Sequence, residues 1–415
     1  MISFPFFRRS VVCATLTLAC FAGSSFAQPV PSLREALEAA WAQSPTQRSQ
    51  SQRVAELAAR TRAASSWAAG PPSVTLGHRT DMLTGNSGLR ELEAEVAVPL
   101  WNAKARSATR SQVDADSSVL QRQSALLKLK LAGELRELAA QAALAQAEQT
   151  LANRKLAEAS QLAQDVERRL RAGDVARVDS LQTQAAVQQA NAALAQTRAG
   201  LSRVQSQWQA LTGLATVADP ASDSALPSST ATLPLEASTA EHPAVAAAAA
   251  HTQAARSRLQ LAEADRRDPM ELSVGSTVSQ GVFGANPDTS LRVAVKIPLG
   301  GDIRNSARIA AARAELEVAE AESDAVTRLV NADLMAARAD VLAARANEEA
   351  LQARAKLSTE AQALYAKSYR LGESDLPTRL RADNEKFEAD LALSRARIDV
   401  QRAASRLLQS LGQLP

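Results

Sequence analysis

Two hydrophobic patterns alternate along this chain. In Glu91–Leu100, ELEAEVAVPL, the residues Leu92, Ala94, Val96 and Val98 fall on one side of an extended strand, and Glu91, Glu93 and Glu95 fall on the other, because successive strand side chains point to opposite faces. WNAKARSATRSQVDADSS follows at once and opens a helical pattern, with apolar residues such as Leu120, Leu127, Leu131, Leu135 and Leu138 set apart by charged residues and Gln. The same switch recurs 199 residues later, in LRVAVKIPL followed by GGDIRNSARIAAARAELEVAEAE, with Pro298 standing where Pro99 stands in the first.

Taken in order, the pattern predicts two copies of one unit. The first begins with SLREALEAAWAQSP and the helix TQRSQSQRVAELAARTRAASSWAA, which Gly70-Pro71-Pro72 is expected to stop. The strand SVTLGHRTD follows, Val74 and Leu76 alternating against Ser73, Thr75 and Gly77, and the loop MLTGNSGLR closes a hairpin with Glu91–Leu100. The second runs HPAVAAAAAHTQAARSRLQLAEADRRDP, then MELSVGSTVSQ, the loop GVFGANPDTS and LRVAVKIPL. Strands are thus predicted near 73–81, 91–100, 271–280 and 290–299. Ser44-Pro45 matches His242-Pro243, and Gly77 matches Gly275, at an offset of 198 that becomes 199 by the two prolines.

Each copy then carries a long helical section. Asn102–Arg171 and Ile303–Arg370 contain no proline, and each would span on the order of 100 Å at about 1.5 Å per residue. Both end at a matched turn, LRAGDVARVDSLQ with Gly173 and YRLGESDLPTRLR with Gly372. Glycine supplies the left-handed residue that ends a helix, Asp174 or Ser374 is expected to cap the next one, and Pro377 falls in a first turn where proline is tolerated. The returning helices run to Gly213 and Gly412. The organisation expected is a leader over 1–27, one repeat over 28–214, a Pro/Ser-containing linker over 215–240 and a second repeat over 241–415.

Strand chemistry changes the picture. The four strands are nine or ten residues long, the length that crosses a bilayer core when tilted. Their polar sides hold Thr75, Arg79, Glu91, Glu93, Glu95, Ser273, Thr277, Arg292 and Lys296. Alternation suits any half-buried sheet, but three glutamates on one strand call for water rather than a core. A wet interior and an apolar exterior are the pattern of an outer-membrane barrel. Four strands cannot close one, and an open edge in lipid would leave backbone groups without partners, so a membrane sheet here must close by oligomerisation. Two chains would give eight strands, filled by side chains; three would give twelve and room for a passage. Solvation of the glutamates and pairing with Arg292 and Lys296 on neighbouring strands both remain open.

Composition agrees with long helices: aromatic residues are 3%, and Ala, Leu, Arg, Glu and Gln dominate. Residues 1–27 read as a secretory signal, with Arg8 and Arg9, an apolar run from Val11 to Ala22 and the small-x-small site Ser25-Phe26-Ala27. Acylation of Cys20 is the alternative, although Thr17 stands where Leu is usual. Both cysteines, Cys13 and Cys20, lie inside that segment, so cleavage would leave neither disulfide nor thiolate metal site. Loss of Arg8 and Arg9 would leave 45 basic against 44 acidic residues, with no concentrated basic face for nucleic acid. No later apolar stretch is long enough for a spanning helix.

On these residues the whole mature chain resembles a TolC-type outer-membrane efflux channel. The matching features are EVAVPLWNAKAR and VAVKIPLGGDIR at the strand-to-helix junctions and RAGDVARVDSLQ and RLGESDLPTRLR at the turns. HPAVAAAAAHTQAARSRL followed by RRDPMELSVG is similar to the cobalt–zinc–cadmium heavy-metal branch. The resemblance implies a mainly α chain with a small membrane β-sheet, in which two structural repeats of long antiparallel helices plus a β-hairpin give four strands. Three chains would then close a 12-stranded barrel continued by an α-helical tunnel. It implies a passive export conduit in the outer membrane of a Gram-negative bacterium, its helices in the periplasm, its barrel in lipid. The partners implied are a periplasmic adaptor and an inner-membrane pump of the RND type, with heavy-metal cations as a possible cargo. An adaptor would dock at Gly173, Asp174, Gly372, Glu373, Ser374 and Asp375; Glu91, Glu93, Glu95, Arg292 and Lys296 would face the lumen; Asp383 and Glu385 would help form a closed aperture.

Enzyme readings find little support. The three histidines, His78, His242 and His251, have no ligand spacing, and His242 precedes a helix where a capping role fits better. No phosphate loop or nucleophile motif is present, so neither cofactor nor resident metal is expected. The rival is a soluble periplasmic coiled-coil adaptor or spacer, which would be expected to have one helical hairpin flanked by β-rich domains rather than two hairpins alternating with strand pairs.

Overall fold

The computed structural model describes residues 31–223, 241–299 and 302–415. The leader over 1–27, with Cys13 and Cys20, and most of the 215–240 linker lie outside them. In chain order the elements are α1 (Leu33–Gln43), α2 (Pro45–Ser65), β1 (Ser73–Thr80), β2 (Arg90–Leu100), α3 (Ala103–Ala172), α4 (Arg177–Thr212), α5 (Pro243–Ala264), β3 (Met270–Gln280), β4 (Asp288–Lys296), α6 (Asp302–Leu371) and α7 (Leu376–Ser410). The fold is mostly helical with one small antiparallel sheet, ordered β1-β2-β3-β4. Among the described residues no helix is long and apolar enough to cross a membrane.

Helix α3 and helix α6 each run 70 residues, about 105 Å at 1.5 Å per residue. No neighbour is that long. α4 returns along α3 from one end while α2 covers the other, where Arg106 donates to the Ser65 and Ser66 carbonyls at 2.7 and 2.8 Å. In the second repeat α7 takes the part of α4 and α5 the part of α2, with Arg313 bonded to Glu263 at 3.2 Å and Thr252 to the Ala319 carbonyl at 3.0 Å. The buried stripe of α3 is largely alanine, including Ala105, Ala108, Ala132, Ala139 and Ala152; such small side chains let helices approach closely. Exposed ion pairs such as Arg395–Glu148 at 2.8 Å knit the helix surfaces, each contributing about 1 kcal/mol or less.

The main core lies midway along α3. There α1 lays Leu33, Ala36, Leu37 and Ala40 against Ala132, Leu135 and Ala139 of α3 and Trp208 of α4. Ser32 opens α1 with a capping box, accepting from the Glu35 N–H while the Glu35 carboxylate accepts from the Ser32 N–H, which fixes where that apolar face begins. A second cluster, Leu334, Ala337, Val341, Ala403 and Leu407, joins α6 to α7. The two repeats meet here: buried Arg136 of α3 donates to the Gln409 side chain at 2.7 Å and to the Gln413 carbonyl at 3.0 Å.

Several boundaries differ from the pattern-based expectation. α2 stops at Ser65, five residues before Gly70; Ala68 then bridges Leu100 and the Ala69 N–H donates to the Pro99 carbonyl, so the chain enters the sheet before Gly70-Pro71-Pro72. β4 ends at Lys296 rather than near 299, just before Pro298, which lacks the donor a ladder needs.

Candidate functional site

Three places carry the sequence-derived candidates: the sheet, the helical turns farthest from it, and the first turns of α7.

The register divides the sheet into two chemically opposite faces. Thr75, Glu95, Gly275 and Arg292 lie in one row across the four strands, and Gly77, Glu93, Thr277 and Ser290 in another. These rows, with Arg79, Glu91, Glu271 and Lys296, form the polar face. The opposite face carries Val74 and Leu76, Leu92, Val96 and Val98, Leu272, Val274 and Val278, and Leu291, Val293 and Val295. Exposure is inverted relative to a soluble sheet: Leu76 is 75% and Leu291 76% exposed, while Thr277 on the polar face is 8% exposed. So large a contiguous apolar surface is unusual on a water-soluble protein.

Ion pairs cross the polar face. Arg292 meets Glu93 at 3.2 Å, Lys296 meets Glu271 at 3.2 Å and Arg79 meets Glu91 at 3.7 Å. The sequence left solvation and pairing of the glutamates open, and the answer divides: Glu91 and Glu93 are paired within the chain, while Glu95 has no ion-pair partner among the described residues. Glu271 was missed by sequence reasoning, yet its parity with Ser273 and Thr277 places it on the polar side. β1 and β4 form the sheet's two edges, with unused backbone groups facing outward.

At the far turns, Gly173 and Gly372 adopt φ of 84° and 77°. Each closes its long helix by the same pair of bonds: Gly173 N–H to the Leu170 carbonyl with Asp174 N–H to Arg169, and Gly372 N–H to the Tyr369 carbonyl with Glu373 N–H to Ser368. Nothing lies within 4 Å of where a Cβ would stand on either glycine, so the backbone conformation alone calls for glycine. Capping differs from expectation. Asp375, not Ser374, caps α7, accepting from the Thr378 N–H at 3.0 Å; the Thr378 contacts hold its carboxyl below the usual carboxylate range. The N-cap of α4, Ala176, supplies no side-chain cap, and Asp179 instead reaches back to accept from the Ala176 N–H at 3.3 Å. The shift arises because each helix starts one or two residues beyond the expected cap, leaving Asp174 and Ser374 outside the first turn.

The two turns pack on each other. Val166 of α3, Tyr369 of α6 and Leu376 of α7 form one buried cluster, and the Arg169 guanidinium lies 5.2 Å from the Tyr369 ring centroid. Burial pushes the Tyr369 phenol above its ordinary pKa, and its hydroxyl and the Ser374 hydroxyl have no hydrogen-bond partner among the described residues.

Two turns into α7, Asp383 accepts from Arg379 at 2.9 Å and from Gln362 of α6 at 2.7 Å. It therefore ties α6 to α7 within the chain. Glu385 is exposed on another face of α7, so the structure does not bring these two acids together. No group of three metal-ligating side chains occurs among the described residues. His242 is the N-cap of α5, its Nδ1 accepting from the Ala244 N–H at 3.1 Å, as its position before Pro243 suggested.

Comparison with known proteins agrees with this architecture. Residues 235–413 match the family described as Outer membrane efflux protein. No curated protein matches the chain. Among solved structures, CusC, described by conformational changes accompanying folding and transmembrane channel formation, is similar with a TM-score of 0.76 at 16% identity, covering 99% of each chain. A membrane protein from Pseudomonas aeruginosa gives 0.72 at 18% identity over 92% of this chain and 90% of that one. The outer membrane protein VceC from Vibrio cholerae gives 0.71 at 15% identity over 92% and 96%. At these identities the likeness establishes a shared fold.

Proposed function

We propose that this chain is the outer-membrane channel of a tripartite efflux system, a passive conduit that receives substrates from an inner-membrane pump through a periplasmic adaptor. One observation carries the reading: the sheet is inside out, with an exposed apolar face, a polar face crossed by ion pairs, and both edges open. Lipid is the environment that favours that face outward, and closure is what lipid requires of the edges. Three chains give twelve strands, enough for a lumen. β2, 11 residues and about 36 Å long, covers on tilting roughly the 25 Å apolar band of such barrels. The family match over residues 235–413 and the likeness in fold to CusC, described by transmembrane channel formation, and to the outer membrane protein VceC support the assignment.

In this reading the homotrimer's helices extend into the periplasm as a tunnel, and the adaptor docks at the turns around Gly173, Asp174, Gly372, Glu373, Ser374 and Asp375. Asp383, bonded to Arg379 and Gln362, holds α6 and α7 together where a closed aperture would form, while Glu385 points from another face of α7. The pump is of the RND type, and heavy-metal cations are the cargo suggested by the resemblance to the cobalt–zinc–cadmium branch. Passage through a water-filled lumen needs no dedicated metal site. The soluble adaptor alternative is disfavoured by the exposed apolar sheet face.

Export assays test the reading. Cells lacking this chain should become sensitive to the pump's substrates, and the wild-type gene should restore resistance. Gly173→Trp or Gly372→Trp should assemble yet fail to restore it. Full export from tip variants would contradict the docking assignment, and full export without the chain would contradict the function.

A further inference from the structure

Within that barrel, which this inference presupposes, we infer that Glu95 is the residue that sets the preference for cations over anions. The polar face of each chain carries Glu91, Glu93, Glu95, Glu271 and Asp288 against Arg79, Arg292 and Lys296. Three carboxylates are matched: Glu91 by Arg79 at 3.7 Å, Glu93 by Arg292 at 3.2 Å and Glu271 by Lys296 at 3.2 Å. A matched pair acts on a passing ion as a dipole, whose field falls faster with distance than that of a lone charge. Glu95 and Asp288 are the carboxylates of this face with no ion-pair partner among the described residues. Asp288 opens β4 beside the exposed 281–287 loop, where bulk salt screens it. Glu95 lies midway along β2 and is half-buried.

The register explains why it is left over. Arg292 stands in the same row as Glu95, with Gly275 of β3 between them. The guanidinium nevertheless bonds Glu93, two residues along β2. It crosses β3 beside Gly275, the position that has no side chain to obstruct it. A Cβ on Gly275 would stand 3.2 Å from the Glu95 Cβ and 3.0 Å from the Ala94 carbonyl oxygen, so this gap is built into the packing. β2 is an inner strand, flanked by β1 and β3 of its own chain; those neighbours offer Glu95 only Thr75 and Gly275 in its row. Closure of three chains would set three such carboxylates in one ring on the lumen wall. A Debye length of about 10 Å at 0.1 M salt lets that ring act across much of the passage, and about 3 Å at 1 M removes the effect.

Reversal potentials of the purified full-length protein in planar bilayers, under a potassium chloride gradient, decide the matter. Wild type should prefer potassium at low salt. Glu95→Gln should lower the potassium-to-chloride permeability ratio by roughly two-fold, a loss that disappears near 1 M salt. The charge-balanced double variant Glu93→Gln/Arg292→Gln should shift the ratio much less. Glu95→Thr, which suits a strand, is the second variant if Glu95→Gln does not assemble. An unchanged ratio in either Glu95 variant, or an equal shift in the double variant, would overturn the inference while leaving the channel intact. Wild-type protein that does not insert into the bilayer as an oligomer would instead overturn the channel reading itself.

Discussion

The two repeats follow one plan and diverge where they meet each other. Both pair a hairpin with a 70-residue helix, and both end that helix in the same two-bond glycine turn at Gly173 and Gly372. At mid-length, however, the first repeat buries Trp208 beneath α1, with none of the indole exposed. The second places Leu407, 199 residues later, against Leu334 and Val341. In the sheet, β2 contributes Glu91, Glu93 and Glu95 while β4 contributes Arg292 and Lys296. What the repeats share is what backbone geometry demands of a strand-to-helix unit. In the sheet the difference is complementary, and the Arg292–Glu93 pair ties one repeat to the other.

The largest expected effect probes the mid-length asymmetry. Trp208→Ala should cost about 3–5 kcal/mol of stability, because it empties the cluster under α1. Leu407→Ala should cost less, about 2–3 kcal/mol, for a smaller side chain in a smaller cluster. Denaturation midpoints of the two variants check this, and a reversed order would remove the distinction. Where the repeats agree, the effects should agree: Gly173→Val and Gly372→Val should each cost about 1–2 kcal/mol, since both residues sit in the left-handed region. Hydrogen exchange at the turns would show it, and a change in one turn only would break the equivalence.

Capping sharpens the contrast further. Asp375→Ala should lower the melting temperature by losing a helix cap, whereas Asp174→Ala should be near neutral because its side chain caps nothing. The smallest effect concerns pH. Burial lowers the His242 pKa below its ordinary 6.5, so the unfolded chain binds the proton more readily than the folded one. Stability from the deprotonated cap is present above pH 6.5 and is lost as pH falls through the lower folded value. Asp333 and Asp340 of α6, Lys130 of α3 and Arg406 of α7 line the same cavity as the imidazole. His242→Asn keeps a cap acceptor without a titrating group and should flatten this part of the thermal-melt pH profile.

Much of this was legible in the chain itself. Alternation at Glu91–Leu100, proline-free helical stretches and matched glycines at Gly173 and Gly372 are local signals, and each marks an element the structure contains. Cap identity at Asp375 was not legible, since Ser374 and Asp375 are both good caps and only the helix start decides between them. The partner of each glutamate was also hidden. Pairing of Glu93 with Arg292 depends on the β2–β3–β4 register and on the gap at Gly275, which relate residues 199 positions apart.

The central claim is that an inside-out, four-stranded sheet is completed by other copies of the chain in a membrane. The mass of the protein extracted from outer membranes in mild detergent, measured with the detergent contribution separated, tests it most directly. The account predicts three chains per particle and none of the protein released with the soluble periplasm. A detergent-independent monomer in the soluble periplasmic fraction would contradict it.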